Sequence, residues 1–457
     1  MIEEMKYVHE KEKQIPVLAE TDVLVVGSGP SGLSAAIAAA REGVQVILCE
    51  RFGCFGGVIS QVGVEAIAWY RHEGTNEAGG LVFEYENQAA QLGGQKECQS
   101  DSMALDADMF KYIADQMVEE AGIRPLLHCM AAEVIVEEGI IKGIITESKS
   151  GRKAILAKRV IDCTGDGDIS ALAGVPFTKA PKDKLMNVTT LFNCKGVDVD
   201  KFNDWVENVL KPTYKDWGGY WSIETTGKED GLFSPYMERP FVESVNEGIV
   251  PKEEGVCLGG TWSSVTQEGE VTQMNLVFMG NIDCTDVEDL TKAEIQGRRN
   301  AMYCLEILRK KVPGFEDAKL RNFGMTLGTR ESRQIEGKYR LKKEDIFEEG
   351  RFEDSIGIFP EFIDGRGYMY LPLTGRYYQI PYRCLVPKNV DNLLVAGRCI
   401  SGEPIAHTSF RNMSCCVVTG QAAGIAAAES IKQNVTTANV DIKKVQEALI
   451  RQKVRVF

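Results

Sequence analysis

The chain has 457 residues, of which 44% are hydrophobic and 26% are charged. This composition is typical of a globular protein with two or three domains. Its 66 acidic residues outnumber the 52 basic ones, and the resulting net charge of -14 disfavours a protein that binds the phosphates of nucleic acids.

The first twenty residues contain no apolar core of signal-peptide length, and no later stretch is apolar enough to predict a membrane span. We therefore expect a cytoplasmic protein without a membrane partner. The 13 cysteines are odd in number and form no CxxC pair, so they predict buried reduced thiols and no metal site. Three cysteines are candidates for a role beyond that of a buried thiol: Cys54, which is close to the first glycine turn, and the adjacent pair Cys415 and Cys416.

Residues 21 to 51 show the pattern of a strand, a glycine turn, a helix and a second strand. The apolar run Val23 to Val26 stops at a turn, and an alanine-rich stretch follows it. The turn reads Gly27-Ser28-Gly29-Pro30-Ser31-Gly32. Glycines at this spacing permit a tight turn, close approach of phosphates to the backbone, and close packing of the helix on the strand. The free amides at the start of the helix then face an anion.

A carboxylate follows at the end of the second strand. Glu50 lies 18 residues beyond Gly32, where a carboxylate can accept hydrogen bonds from the ribose of an adenosine. The glycine turn alone is a weak signal, but together with the flanking strands, the helix and the acid it predicts a dinucleotide site.

Two further features follow directly. The pair Gly56-Gly57 would let the backbone pass close to a bulky planar ligand, although its spacing fits an ordinary turn equally well. A polar and aromatic cluster comes next and fits either a pocket lining or the surface; it consists of Trp69, Tyr70, Arg71 and His72.

The sequence then predicts an amphipathic helix over residues 106 to 122 and a β-meander over residues 124 to 161. The last strand of the meander runs into Thr164-Gly165-Asp166. A second strand that ends at the same nucleotide is one interpretation of this pattern, and an unrelated tight turn is the other.

From residue 176 to residue 384 the composition shifts towards aromatic residues, prolines and scattered charges. We interpret this region as a mixed α/β domain that shapes a substrate pocket. Its clearest predicted helix covers residues 289 to 311. Three arginines gather after that helix, at positions 330, 333 and 340, and two of the three fit structural ion pairs.

The last seventy residues return to the opening pattern. A short strand over residues 392 to 401 contains Gly397-Arg398, and a small-residue helix over residues 417 to 431 is predicted to begin near Gly420. We therefore predict an α/β fold with a discontinuous, Rossmann-like domain (residues 1–175 and 385–457) that contains a β-meander. A mixed α/β substrate domain (residues 176–384) would be inserted into it.

Four segments together resemble a known family, and they span nearly the whole chain. The segments are GSGPSGLSAAIAAAREGVQVILCER, SGRKAILAKRVIDCTGDGDISALAG, GMTLGTRESRQIEGKYRLKKEDI and YYQIPYRCLVPKNVDNLLVAGRCISGEPIAHTSFRNMSCCVVTGQAAGIAAA. They look like the FAD-dependent oxidoreductases of the glutathione-reductase-like, two-domain kind, distant relatives of fumarate reductase flavoprotein subunits. The resemblance implies FAD as the cofactor.

The resemblance also implies a role for each matching residue. Gly27, Gly29 and Gly32, with Pro30 and Ser31 between them, would bind the pyrophosphate, and Glu50 beside Arg51 would bind the adenosine ribose. Gly56-Gly57 would lie near the flavin, Ala132 at the adenine, and Thr164-Gly165-Asp166 on the second side of the dinucleotide. Gly397-Arg398 would approach the ribityl phosphate. The helix opening at Gly420-Gln421-Ala422-Ala423 would point at the flavin pyrimidine, where a positive helix end favours the reduced form.

Candidate catalytic residues lie between the Gly397 strand and this helix. By connectivity the stretch from Ile405 to Asn412 should pass over the flavin face. His407 suits acid–base work near neutral pH, although an imidazole that only forms a hydrogen bond to the flavin or the backbone fits as well. Arg411 aligns loosely with the substrate arginine of fumarate-reductase-like enzymes, but Phe410 and Met413 replace the glycines that surround it there.

No second GxGxxG followed by a helix appears, and no redox cysteine pair follows the first unit. We therefore expect a non-disulfide FAD oxidoreductase that transfers a hydride between the flavin and a small polar organic substrate. A flavin monooxygenase and a flavoprotein electron-transfer subunit with an electron-carrier partner are the alternatives. Homo-oligomer formation is left open.

Overall fold

The protein is described from a computed structural model that covers residues 6–68, 77–96, 104–219, 222–223, 231–372 and 375–457. The predicted cluster from Trp69 to His72 lies outside these ranges. The α-helices are α1 Pro30–Arg41, α2 Leu81–Gln91, α3 Ala107–Glu120, α4 Asp168–Leu172, α5 Val199–Trp205, α6 Arg239–Asn246, α7 Val287–Lys311, α8 Lys343–Phe347, α9 Pro404–Phe410, α10 Met413–Lys432 and α11 Ile442–Arg451.

The strands follow the same chain order. They are β1 Val17–Val26, β2 Val46–Cys49, β3 Gln95–Lys96, β4 Ala104–Leu105, β5 Arg124–Leu126, β6 Met130–Glu137, β7 Ile140–Glu147, β8 Lys153–Asp162, β9 Phe177–Thr178, β10 Val188–Thr189, β11 Phe192–Lys195, β12 Ser222–Ile223, β13 Tyr236–Met237, β14 Val256–Thr261, β15 Val271–Met279, β16 Lys319–Phe323, β17 Gln334–Ile335, β18 Ser355–Pro360, β19 Ile363–Gly365, β20 Tyr368–Tyr370, β21 Tyr377–Pro381 and β22 Leu393–Val395. Two π-helical turns cover Val58–Val62 and Val206–Leu210.

The main sheet has the order β5-β2-β1-β8-β7-β6, and β22 also pairs with β8. Strands β2, β1, β8 and β22 are parallel, and Val26 at the end of β1 is in register with Cys49 and Asp162. Asp162 in turn is in register with Val395. The carboxyl ends of four strands from three distant parts of the chain therefore meet at one edge, which is where ligands bind in open α/β sheets.

The predicted β-meander is present as β6, β7 and β8, which pair antiparallel to one another. The first strand of that region, β5, instead joins β2 in parallel. Strand β8 belongs to both the antiparallel meander and the parallel part of the sheet, because its first half pairs with β7 and its last residues pair with β22. The α/β class with a Rossmann-like unit and a meander is confirmed.

Helices α1 and α10 pack against each other over buried small residues. A Cβ atom on Gly420 would overlap the carbonyl oxygen of Ser31, and a Cβ on Gly424 would overlap that of Ala35. The contacts advance in the same direction by four residues on each helix, so the two helices are parallel. Their N-termini consequently point the same way.

The predicted start of the last long helix at Gly420-Gln421-Ala422-Ala423 is wrong. Helix α10 begins at Met413, with Asn412 as its N-cap, so these four residues lie in its interior. Ala422 and Ala423 are fully buried, and the Gln421 side chain bonds Leu81 N (3.1 Å) and the Gln452 side chain (3.2 Å). Glycine at this position permits close approach of α1; it does not mark a helix end.

The stretch from Ile405 to Asn412, which is predicted by connectivity to pass over the flavin face, is largely helical. Most of these residues form helix α9. Pro404 is its first residue, and at this position the missing backbone N–H of proline costs no helical hydrogen bond. His407 is therefore held on a helix.

Apolar residues form two clusters. One surrounds the main sheet and includes residues from β18, β19 and β21, and the other draws its buried members from residues 188 to 327. The sheet β13-β14-β15-β11-β16 and the long helix α7 build the second cluster. The domain limits proposed from the sequence stay a prediction, since residues 335–371 contribute apolar side chains to the first cluster.

Two helices predicted from the sequence are confirmed. Helix α3 is capped by Asp106, whose carboxylate accepts from the backbone N–H groups of Asp108 and Met109. Helix α7 has the same arrangement at its N-cap Asp286, and it begins at Val287, two residues before the predicted start. Among the described helices, none has both the length and the apolar character needed to cross a bilayer.

We expect Gly420→Ala to destabilise the protein. In an ordinary helix interior this change stabilises by about 1 kcal/mol, but here the new methyl group overlaps the Ser31 backbone, and overpacking costs about 2 kcal/mol or more. The measurement is the free energy of unfolding in denaturant. Gly231→Ala is the control, because its Cβ would enter open space. Equal or greater stability for Gly420→Ala would contradict the close helix contact.

Candidate functional site

The glycine turn lies between β1 and α1 at the carboxyl edge of the sheet. Gly27 has φ of +91°, and a Cβ there would lie 2.5 Å from the carbonyl oxygen of Cys163. Only glycine fits this backbone. Within the described residues, the backbone N–H groups of Ser31 and Gly32 have no acceptor, and the first turn of α1 contains no acidic side chain. Pro30 occupies the first position of the helix. Free amides at a positive helix end suit a pyrophosphate.

Glu50 is buried directly beside this turn. Its carboxylate accepts from Ser28 N (2.9 Å), Ser28 Oγ (2.6 Å) and Phe52 N (2.9 Å). The side chain of the next residue, Arg51, is exposed and lies over the ring of Phe52. Ser28 was not among the predicted site residues, and it ties the acid to the turn. The fixed carboxylate retains lone pairs for a ribose hydroxyl.

The pair Gly56-Gly57 adopts positive φ values of +103° and +53° and begins a π-helical turn, Val58–Val62. The Gly56 N–H donates to Ser28 O (2.9 Å), and a Cβ on Gly57 would overlap the Cα of Gly29. The two glycine segments therefore lie backbone against backbone. Short π-helical turns are frequent at functional sites.

Ala132 lies at an irregularity of β6. The register between β6 and β7 shifts between Ala131 and Glu133, so Ala132 is left out of the regular pairing. A bulge of this kind frees backbone polar groups next to a binding site. The segment before it, at Cys129, donates to Glu50 O (2.9 Å), so Ala132 is on the strand that starts beside the acid.

Thr164-Gly165-Asp166 follows β8 and is fixed by Asp162, whose carboxylate accepts from Thr164 Oγ1 (2.7 Å) and Ser170 Oγ (2.7 Å). Asp166 accepts from Ser332 Oγ (2.6 Å) and Arg398 (2.7 Å). The Arg398 guanidinium also donates to Gly165 O (2.9 Å) and to Thr329 O. The Arg398 side chain thus ties the strand ends to the 326–334 segment.

Gly397 lies against the start of α1, because a Cβ there would be 2.6 Å from Ser31 Oγ. Its N–H donates to Thr419 Oγ1 (3.1 Å) of α10. The first N–H groups of α10, from Met413 to Cys415, have no acceptor among the described residues, and the buried Ser414 hydroxyl has none either. The helix N-terminus expected at Gly420 therefore lies seven residues earlier, at Met413.

His407 is completely buried, and neither ring nitrogen has a hydrogen-bond partner within the described part of the chain. Phe410 packs against the ring edge to face, with centroids 5.5 Å apart. Burial, and then the positive charges of Arg411, Arg398 and Arg366, hold the pKa of His407 well below its usual 6.5. The imidazole is neutral at physiological pH and available as a hydrogen-bond acceptor.

Arg411 lies one helical turn beyond His407 and is oriented by the β19–β20 hairpin. Its Nη2 donates to Asp364 O (2.5 Å) and Oδ2 (2.9 Å), while its buried Nε has no partner among the described residues. Arg366, in the turn of the same hairpin, pairs with the buried Glu331. These partners come from residues that the sequence did not single out.

The three cysteines singled out in the sequence, Cys54, Cys415 and Cys416, do not have activated thiols. Burial raises the pKa of the Cys54 thiol, and it raises those of Cys415 and Cys416 also. A thiol with a raised pKa is a poor nucleophile at neutral pH, so the chemistry of the site must come from other groups.

A signal for the true start of α10 was present in the sequence. Asparagine is a preferred N-cap residue, and Asn412 precedes the apolar run of the helix. The hairpin residues Asp364 and Arg366 carried no such signal, because their contacts with α9 connect residues distant along the chain.

Converging strand ends, two parallel helix N-termini and a buried acid beside the turn are the features of a dinucleotide-binding protein of the α/β class. A family model described as FAD dependent oxidoreductase matches residues 22–449. The chain belongs to this family; it is an enzyme, and its cofactor is FAD. The free amides of α1 and the fixed carboxylate of Glu50 fit that cofactor.

Individual relatives match over a shorter length. Thiamine thiazole synthase of Methanococcus vannielii is 30% identical over 180 residues, which is 37% of this chain and 64% of the relative. Digeranylgeranylglycerophospholipid reductase 2 of Methanopyrus kandleri is 29% identical over 189 residues, 40% of this chain and 46% of the relative. The chain spans less than two thirds of the length of either relative.

Among solved structures, a geranylgeranyl bacteriochlorophyll reductase-like protein from Thermoplasma acidophilum is similar with a TM-score of 0.47 and 14% identity. The similarity covers 95% of this chain and 84% of that protein.

We expect Glu50→Gln to weaken FAD binding roughly tenfold to a hundredfold, because it replaces a charged acceptor by an amide beside Ser28. The dissociation constant of FAD is measured by the recovery of free flavin fluorescence. Glu84→Gln is the control, since Glu84 pairs with Arg41 on the exposed face. Unchanged FAD affinity in Glu50→Gln would remove Glu50 from the cofactor site.

A second prediction concerns the dependence of stability on pH. The unfolded chain protonates His407 near pH 6.5, whereas the folded protein resists protonation to a much lower pH. Acid therefore destabilises the native state below pH 6.5, by about 1.4 kcal/mol per pH unit from this residue. We measure the free energy of unfolding of the FAD-loaded protein between pH 5 and 7.5. As the pH falls, His407→Gln should lose less of this free energy per pH unit than the wild type does. His9→Gln, which removes an exposed histidine, should follow the wild type. Equal slopes for all three would argue against a buried neutral imidazole.

Proposed function

We propose that the enzyme transfers a hydride between FAD and a small polar organic substrate, with His407 and Arg411 at the substrate. The observation that carries this proposal is the buried imidazole of His407, whose two nitrogens have no partner among the described residues. It lies one helical turn from Arg411 and close to Arg398 of the converging strand ends. A buried polar group without a partner is rare and marks a functional position.

Bound FAD supplies the hydride chemistry. When a carbon of the substrate loses a hydride, its hydroxyl or amine group must also lose a proton. The neutral His407 accepts that proton at Nδ1 or Nε2, and it returns the proton in the opposite direction. Its low pKa keeps the free enzyme ready to accept a proton, whereas a protonated imidazole would be the form needed for reduction.

Arg411 orients the substrate. Asp364 holds one end of the guanidinium, and the buried Nε has no partner among the described residues. A guanidinium in a fixed position gives directional hydrogen bonds at a small entropic cost.

We propose that the glycine turn, Glu50, the Gly56-Gly57 pair, Ala132, Thr164-Gly165-Asp166 and Gly397-Arg398 form the cofactor site. The start of α10, from Met413 to Ser414, takes the place expected of Gly420-Gln421-Ala422-Ala423. The free amides there support this assignment, since a positive helix end stabilises negative charge.

A monooxygenase is the second candidate. The observation that favours it is a relative, 6-methylpretetramide 4-monooxygenase of Streptomyces rimosus, which is 24% identical over 35% of this chain. A monooxygenase consumes oxygen and leaves an oxygen atom in its product, whereas a dehydrogenase reduces its flavin without oxygen.

The test is anaerobic reduction of the FAD-loaded enzyme with a panel of hydroxy acids, amino acids, amines and sugars, followed by flavin absorbance. We expect one class to bleach the flavin in the wild type, and His407→Gln to slow this step about 100-fold or more, the usual contribution of a general base. His9→Gln serves as the control. If no compound bleaches the flavin under nitrogen but one is hydroxylated in air with a chemical reductant, the dehydrogenase proposal is wrong.

A further inference from the structure

The Arg330 guanidinium differs from the neighbouring arginines. Within the described residues it makes no hydrogen bond and no ion pair, and it lies over the ring of Phe278, 5.2 Å from the ring centroid. Nearby arginines each have a carboxylate partner; the pairs are Arg333–Asp168, Arg366–Glu331, Arg398–Asp166 and Arg411–Asp364.

The segment that carries Arg330 is fixed on both sides. Before it, Leu327 N donates to Glu294 (2.9 Å), and Thr329 O accepts from Arg398. After it, Ser332 Oγ donates to Asp166 (2.6 Å). The adjacent residue Glu331 accepts from Met186 N (3.0 Å) and pairs with Arg366. The backbone of Arg330 is therefore held in place by contacts that do not involve its own side chain, as in a preorganised binding group.

The charges around Arg330 do not balance. The local group consists of Arg330, Arg366 and Arg411 against Glu331 and Asp364. One positive charge is left over. Burial lowers the pKa of Arg330 to about 10, and Arg411 lowers it as well, against the opposing influence of Asp364. A partly buried cation without a counter-ion is unfavourable, so the Arg330 guanidinium favours an anion as its partner.

We infer that Arg330 binds the carboxylate of the substrate, so that the substrate of this enzyme is a monoanionic carboxylic acid. The inference rests on the proposed function and adds the substrate class to it. A planar guanidinium and a carboxylate match in shape and form paired hydrogen bonds. A single excess charge matches one carboxylate, while a phosphate dianion would leave negative charge unbalanced in a half-buried site.

The inferred arrangement also assigns different tasks to the two arginines. Arg330 has its full guanidinium available, whereas Arg411 is already bound to Asp364 through Nη2. Arg330 therefore supplies the charge that selects an acid, and Arg411 adds a second donor beside His407. The carboxylate would also offset the positive charges that lower the pKa of His407, which makes the imidazole a better base once substrate is bound.

The test measures binding directly and does not require turnover. Acetate and benzoate are titrated into the FAD-loaded enzyme by calorimetry, with acetamide and benzamide as neutral ligands of the same shape and inorganic phosphate as the dianion. We expect the wild type to bind at least one acid at least tenfold more tightly than its amide and more tightly than phosphate. Arg330→Gln should lose roughly tenfold or more of that affinity.

Two further variants keep the test decisive. Arg330→Lys keeps the charge without the paired donors, so it should retain part of the preference for acid over amide even if Arg330→Gln fails to fold. Arg340→Gln removes an exposed arginine of the same region and should bind as the wild type does. Equal affinity for acid and amide, tighter binding of phosphate, or undiminished acid binding in Arg330→Gln would overturn the inference.

The outcome separates this inference from the proposed function. If acids bind in a way that depends on Arg330 but no acid bleaches the flavin, the result would contradict hydride transfer and support the anion site. If a neutral substrate bleaches the flavin and Arg330→Gln is fully active, the result would support hydride transfer and contradict the assignment of a carboxylate to Arg330.

Discussion

The contact between α1 and α10 is the constraint on which the site depends. Gly420 and Gly424 bring one helix backbone onto the carbonyl groups of the other, and the equal spacing of the contacts makes the helices parallel. Their positive ends therefore point in the same direction, and the one at α1 opens on the sheet edge beside Gly397. A larger residue at either glycine would separate the helices and shift both ends relative to the strands. Packing and electrostatics at the cofactor site thus have one origin.

The parts of the site that depend on local backbone geometry could be predicted from the sequence. The glycine turn needs positive φ and close backbone approach, and only glycine provides both, so its spacing is readable without a structure. The acid at Glu50 follows at a distance set by one helix and one strand. The same reasoning misplaced the start of α10, because a glycine was taken as a boundary where it serves packing. Asn412, a residue type that caps helices, was the better signal.

The parts that depend on contacts distant along the chain could not be predicted. The β19–β20 hairpin places Asp364 on Arg411, and the 326–334 segment reaches Asp166 and Arg398 through Ser332 and Thr329. No periodicity or spacing records such contacts, because they follow from the tertiary packing of elements that are distant along the chain. For the same reason Arg330 could not be distinguished from Arg333 by sequence, although Arg333 pairs with Asp168 and Arg330 has no carboxylate partner within the described residues.

The burial of His407 is the strongest indication that this region does chemistry. A buried polar group without a hydrogen bond costs about 1 to 3 kcal/mol, and here two ring nitrogens are involved, among guanidinium groups that disfavour protonation. A leucine or phenylalanine would fill the same space without that cost. Stability therefore does not explain the imidazole, and neither does helix formation, since histidine is an ordinary residue in a helix. Residues that lower stability without improving packing or hydrogen bonding are expected where function requires them. In this chain His407 lies one helical turn from Arg411, whose guanidinium is oriented by Asp364 of the β19–β20 hairpin.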